Sequence, residues 1–121
     1  MRALLLAAFA ALFLSVAGEA NAQARQDFAI VNQTGYTIDE VYVSPTSANN
    51  WGDDLMGDDS LENGMTLNVS FPVDTTACRY DIKVVYDDET PVEFRNVNLC
   101  RIARVTLFYN RGSGETRAVA E

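Results

Sequence analysis

Residues 79–86 read RYDIKVVY, and their alternation decides the fold class. Tyr80, Ile82, Val84 and Tyr86 share one parity, and Arg79, Asp81 and Lys83 share the other, with Val85 the single exception. Period-two patterning of aromatic and β-branched residues against charges is the mark of a half-buried strand. Lys83, the only lysine of the chain, falls on the face expected to meet solvent.

Outward from this strand the same pattern recurs. TLNVSF (66–71) puts Leu67, Val69 and Phe71 on one face, and RVTLFYN (104–110) does so with Val105, Leu107 and Tyr109. DFAIVN (27–32) aligns Phe28 with Ile30. YTIDEVYV (36–43) is β-rich but changes phase near Asp39 and Glu40, so an extra residue, a β-bulge, is expected there. PVEFRNVNL (91–99) breaks in the same way: Val92 and Phe94 share one parity, Val97 and Leu99 the other, and the extra residue falls at Arg95 or Asn96. DDET (87–90) joins 79–86 to 91–99 as a polar hairpin turn about Glu89. That pairing brings Cys78 opposite Cys100 or one step away.

Strands separated by Gly, Asn, Asp and Pro, with no sustained helical period, predict an all-β fold: an antiparallel β-sandwich of about six to seven strands. A small barrel is the alternative. The tail NRGSGETRAVAE (110–121) is Gly-rich and polar, and reads as a final turn followed by a frayed end.

The N-terminus carries Arg2 and then the apolar run ALLLAAFAALFLSVAG. The run has the length of a signal-peptide core and falls short of the roughly 18 apolar residues of a membrane span. Ala20 and Ala22 stand at the two positions a signal peptidase reads, which predicts a signal peptide over 1–22 and a mature domain over 23–121. Cleavage after Ala24 is the second option. The chain is then exported, periplasmic or secreted, with no membrane span after cleavage.

Cleavage removes one base, Arg2, and one acid, Glu19, so the remaining 99 residues carry sixteen acids against eight bases and keep the formal charge of −8. Such a balance disfavours binding to nucleic acid or anionic lipid, since phosphate is repelled. It is compatible with a cation or a basic partner, and it favours solubility as a monomer. Two cysteines in an exported chain predict a Cys78–Cys100 disulfide. On the chain-entropy model, closing a loop of this length stabilises the domain by about 3 kcal/mol.

One long connection interrupts the short turns, from Ser44 to Asn63. It contains WGDDLMGDDSLENG (51–64), in which a five-residue unit occurs twice, GDDLM then GDDSL, and five carboxylates fall within ten residues. Trp51, Asp53, Asp54, Asp58, Asp59 and Glu62 form the candidate binding loop. Three readings compete. The first is a loop that holds its own shape, each Gly making a left-handed turn and each GDD an Asp cap, with Leu55, Met56, Leu61 and Trp51 pinning it to the core. The second is a surface for an envelope protein or a small ligand.

The third is calcium, held by Asp54, Asp58 and Asp59 with help from Asp87, Asp88 and Glu89. EF-hand spacing fails in each register: from Asp53 the third position is Leu55, from Asp54 it is Met56, and from Asn49 the sixth is Asp54 rather than Gly. No histidine is present, which excludes histidine-dependent catalysis. Two cysteines committed to a disulfide leave little for zinc. A carboxylate-dependent hydrolase would need a deep cleft to raise one pKa. No catalytic residue is assigned, and no cofactor beyond a possible calcium is expected.

TGYTI (34–38), VYVSP (41–45), Trp51-Gly52 with Asp54 and Gly57, Leu61 with Gly64, and Cys78 with Tyr80-Asp81 occur in an order and spacing that resemble a family of small exported bacterial proteins. Met56 departs from the leucine of that pattern, a volume-conserving exchange. The resemblance implies an exported single-domain β protein and brings no activity with it. Some relatives carry the name argininosuccinate lyase; a chain this short, without histidine, lacks the helical core and active site that such a lyase requires. The expected function is an exported, non-catalytic binding or interaction module, the alternatives being a calcium-stabilised domain and the small hydrolase.

Overall fold

The computed structural model describes residues 23–121, and the expected signal peptide lies outside them. Among the described residues seven strands form two sheets. In chain order they are β1 (Phe28–Gln33), β2 (Ile38–Pro45), β3 (Thr66–Val69), β4 (Arg79–Tyr86), β5 (Pro91–Asn98), β6 (Arg104–Asn110) and β7 (Glu115–Ala120). One sheet has the order β3-β1-β6-β7 and the other β2-β4-β5. The core lies between them: Phe28, Ile30, Val69, Val105 and Leu107 from one side meet Ile38, Val41, Tyr80, Ile82, Val84 and Tyr86 from the other. Each such side chain contributes about 1.5–3 kcal/mol by leaving water.

Both expected bulges are present. Ile38 pairs with Tyr86 but Glu40 with Val85, so Asp39 is the extra residue. It resets the phase so that Ile38, Val41 and Val43 all turn inward. On β5, Val97 pairs with Tyr80 and Phe94 with Ile82, three steps against two. Asn96 takes up the difference with φ of 58°. The β4–β5 hairpin turns at Glu89, which has φ of 72°, and the Leu99 amide donates to the Cys78 carbonyl. Cys100 therefore falls one step past direct opposition, and the Cys78–Cys100 disulfide closes the hairpin with Cα atoms 5.2 Å apart.

One expectation needs correction. The tail is not frayed: residues 115–120 form β7, paired with β6 from Val105↔Ala120 to Asn110↔Glu115. Asn110 builds the turn, its Oδ1 accepting from the amides of Gly112 and Ser113, and Ala118 packs on the core. The polar residues of β7 suit an edge strand, which needs only one apolar side. The expected antiparallel β-sandwich is otherwise present, with one pair, β1 and β6, running parallel.

Candidate functional site

The 51–62 loop lies along β2, the edge strand of the smaller sheet. A short 3-10 turn, Thr46–Ala48, starts it, and the Ser44 hydroxyl donates to the Asn50 carbonyl. Asp54 then accepts two amides on Oδ1, Val41 and Met56, each at 2.9 Å, while the Leu55 amide donates to the Val41 carbonyl. Further on, Leu61 and Ile38 exchange both backbone hydrogen bonds. An edge strand's free N–H and C=O groups are a liability, and this loop occupies those of Ile38 and Val41.

The repeated unit is the device that does so. Gly52 and Gly57 both adopt left-handed φ, 70° and 60°, with open space about them, so the turn rather than crowding requires glycine. Four residues after each glycine a side chain drops inward, Met56 packing on the core and Leu61 sitting within it at 2% exposure. The two copies are unequal in their acids. Asp54 is half-buried and bonded, whereas Asp53, Asp58, Asp59 and Glu62 face solvent. The depression lined by Asp39, Glu40, Asp54, Asp58 and Asp59 is shallow. Among the described residues no three acids converge so as to hold a metal ion. Asp87 and Asp88 line a different depression from the loop's acids.

Leu55 and Trp51 do not pin the loop as expected. Leu55 is 44% exposed, because the neighbouring Met56 takes the inward position. Trp51 lies over the outer face of the smaller sheet, against Tyr42, with ring centroids 6.4 Å apart. Lys83 is correspondingly not free in solvent: its Nζ stands 4.6 Å from the Tyr42 centroid and 5.3 Å from that of Trp51. Arg95 lies 5.1 Å from the indole on the same face. Tyr42 donates to Glu40, and that bond, with desolvation and the neighbouring acids, pushes its pKa up to about 12.

Asp81 organises this face, and sequence reasoning missed it. Strand parity points it outward, yet it is only 6% exposed, covered by the loop and by Arg95. Its carboxylate accepts from Thr46 (2.9 Å), the Asn96 amide in the β5 bulge (2.9 Å) and Arg95 (2.9 Å). Desolvation pushes the carboxyl up, but those three donors outweigh it and hold Asp81 below the usual carboxylate range. Unequal parities in β5, noticed as a bulge, were the one signal that something had to fill the gap.

A second region lies at the end of the sandwich, where three connections meet. Tyr36 comes from the β1–β2 turn, Tyr86 from the end of β4, and Tyr109 from the end of β6. The rings stand edge-on to one another, with centroids 5.2–6.3 Å apart and interplanar angles of 76–87°. Beside them opens a cleft of about 220 Å3, lined also by Asp87, Asp88, Thr90, Val92 and Thr116. The Tyr86 hydroxyl is 2.6 Å from that of Thr116. Asp88 accepts the Thr90 amide and is held below the usual carboxylate range, chiefly by its bonds to Thr90. Tyr36 and Asp87 are both exposed at the mouth of this cleft, and Tyr109 is partly buried. Tyr109 was legible only as a core position; its meeting with Tyr36 and Tyr86 depends on how the sheets stack.

Fold and site together define a disulfide-clipped, seven-stranded β-sandwich with an open aromatic cleft at one end. No protein-family model matches the chain, and no match was found among curated proteins. A solved structure described as the NMR structure of the protein from Eubacterium rectale is similar in fold, with a TM-score of 0.60 over 84% of this chain and 91% of that one. At 10% identity the likeness is one of fold alone.

Proposed function

We propose that the chain is an exported, non-catalytic binding module whose ligand site is the tyrosine cleft. One observation carries this reading: at the cleft, aromatic rings and carboxylates line an enclosed volume, whereas in the 51–62 loop Asp54 is bonded into the fold and the other acids stand in open solvent around a shallow depression. Concave, partly aromatic sites with a few convergent polar groups are the usual form of small-ligand sites. At about 220 Å3 the cleft suits a ligand smaller than a typical drug.

Export is supported by the disulfide, a feature of oxidising compartments. The fold also bears on the cleavage position. Ala24 is buried, its amide bonded to Asp27 Oδ2, and Gln26 is buried with Nε2 donating to the carbonyls of Thr75 and Ala77. Cleavage after Ala22 keeps these contacts, and cleavage after Ala24 would discard a buried residue. The mass of the mature protein is expected to correspond to residues 23–121 with both thiols oxidised.

The test of the binding reading is an amide-shift titration of mature protein with a panel of small amines, sugars and amino acids. Shifts grouped at Tyr36, Asp87–Thr90 and Thr116 support it. Shifts confined to 51–62, or none with any member, contradict it.

A further inference from the structure

We infer that the tyrosine cleft takes a small organic ammonium ion, a positively charged nitrogen carrying short apolar groups. This rests on the cleft being the ligand site and adds the chemistry of its occupant.

Four observations converge. The lining contains two carboxylates, Asp87 and Asp88, and no Lys or Arg. An anion entering there would meet like charge on Asp87 and Asp88, while among the described residues the one cation near a lining ring is Arg111, over Tyr36. Three tyrosine rings border the same space, and the face of an aromatic ring carries the negative part of its quadrupole, which attracts cations within about 6 Å. The chain itself demonstrates this attraction: the Arg111 guanidinium, on the β6–β7 turn outside the cleft, stands 5.7 Å over the Tyr36 ring. Tyr36 and Tyr109, both in the lining, each bring a phenol oxygen carrying partial negative charge. Finally, the net charge of −8 raises the local concentration of cations around the whole molecule.

The other charged and aromatic surface does not compete. Trp51 already has two cations over it, Lys83 and Arg95, and Asp81 beside it has three donors of its own, whereas of the three cleft tyrosines Tyr36 alone has one among the described residues, Arg111. The Asp53–Glu62 loop offers carboxylates alone, without a ring or an enclosed volume.

The experiment titrates mature, disulfide-intact protein with choline and, in parallel, with 3,3-dimethylbutan-1-ol, its neutral isostere, reading amide shifts. Choline is expected to bind with a Kd on the order of a millimolar, shifting Tyr36, Asp87–Thr90 and Thr116, and the isostere to bind roughly fivefold or more weakly. Asp87→Asn should weaken choline severalfold without changing the melting temperature; Tyr36→Leu should weaken it too, with some loss of stability because its edge-on contacts with Tyr86 and Tyr109 go with the ring. Equal binding of choline and the isostere would overturn the ammonium assignment and leave the cleft as a binding site for a neutral ligand. Absence of any choline shift, with a sugar or amino acid shifting the same residues, would overturn it in the same way. Shifts from choline that fall on Trp51 and Lys83 would overturn both the assignment and the site.

Discussion

The acidic loop and the tyrosine cleft differ in what their polar groups already do. In the loop, Asp54 holds the Val41 and Met56 amides, and the backbone at Leu55 and Leu61 completes the exposed edge of β2. In the cleft, Tyr36, Tyr109 and the carboxylates of Asp87 and Asp88 line an open volume of about 220 Å3. One Asp54 oxygen is thus already occupied by two backbone amides, and the loop's other acids, Asp53, Asp58, Asp59 and Glu62, stand apart in open solvent rather than around an enclosed volume. Acid count therefore points to the loop, and partner accounting points away from it.

The comparison can be attacked first through the loop's inward residues. Leu61→Ala removes a side chain that is 2% exposed and should cost about 2–5 kcal/mol in urea unfolding. Leu55→Ala, although in the same loop, should stay within about 0.5 kcal/mol. Equal costs would mean that the loop does not seat on the core in the way described.

Asp81→Asn comes next, at about 1–3 kcal/mol, since it discards the charge that Arg95, Thr46 and the Asn96 amide all address. Its pH dependence has a definite sign. A carboxyl held below its ordinary value of 3.8 in the folded state stabilises the fold fully at neutral pH, and that contribution is lost as pH falls below 3.8 through the lowered folded value. The stability gap between wild type and Asp81→Asn should thus be widest at neutral pH and close in acid. A gap that widens in acid would contradict the assignment.

The smallest stability effects belong to the cleft. Asp87→Asn and Tyr109→Phe should each change stability by no more than about 0.5 kcal/mol, because Asp87 is exposed and Phe keeps the ring contacts of Tyr109 with Tyr36 and Tyr86. A large loss from either would show that the cleft is a structural joint and not an open site.

Much of the sandwich could be read from local pattern. Alternation at 79–86 located β4, and two breaks in phase placed bulges near Asp39 and Glu40 and at Arg95 or Asn96, because one extra residue reverses the parity of everything after it; the strand registers put them at Asp39 and Asn96. The paired cysteines followed from hairpin geometry. The glycines of the doubled unit announced left-handed turns, and Leu61 its anchor.

What stayed hidden depends on elements far apart in sequence. Asp81 has outward parity, and its burial arises only when the Thr46–Ala48 turn and the β5 bulge close over it. The three tyrosines come from three connections and share no motif. β7 gave too weak an alternation to separate an edge strand from a tail, since an edge strand with one apolar contact, Ala118, carries little pattern. The parallel pairing of β1 with β6 is a property of chain crossings rather than of either strand.

The most direct measurement compares two acids at the same place in the two repeats, Asp54 and Asp59, by urea unfolding of Asp54→Ala and Asp59→Ala with calcium and with chelator. If the loop is a self-supporting cover for β2, Asp54→Ala loses about 1–2 kcal/mol by orphaning two amides, Asp59→Ala loses less than about 0.5 kcal/mol, and calcium moves neither midpoint. Equal losses, abolished together when calcium is withdrawn from the wild type, would contradict it and restore the loop as a cation site.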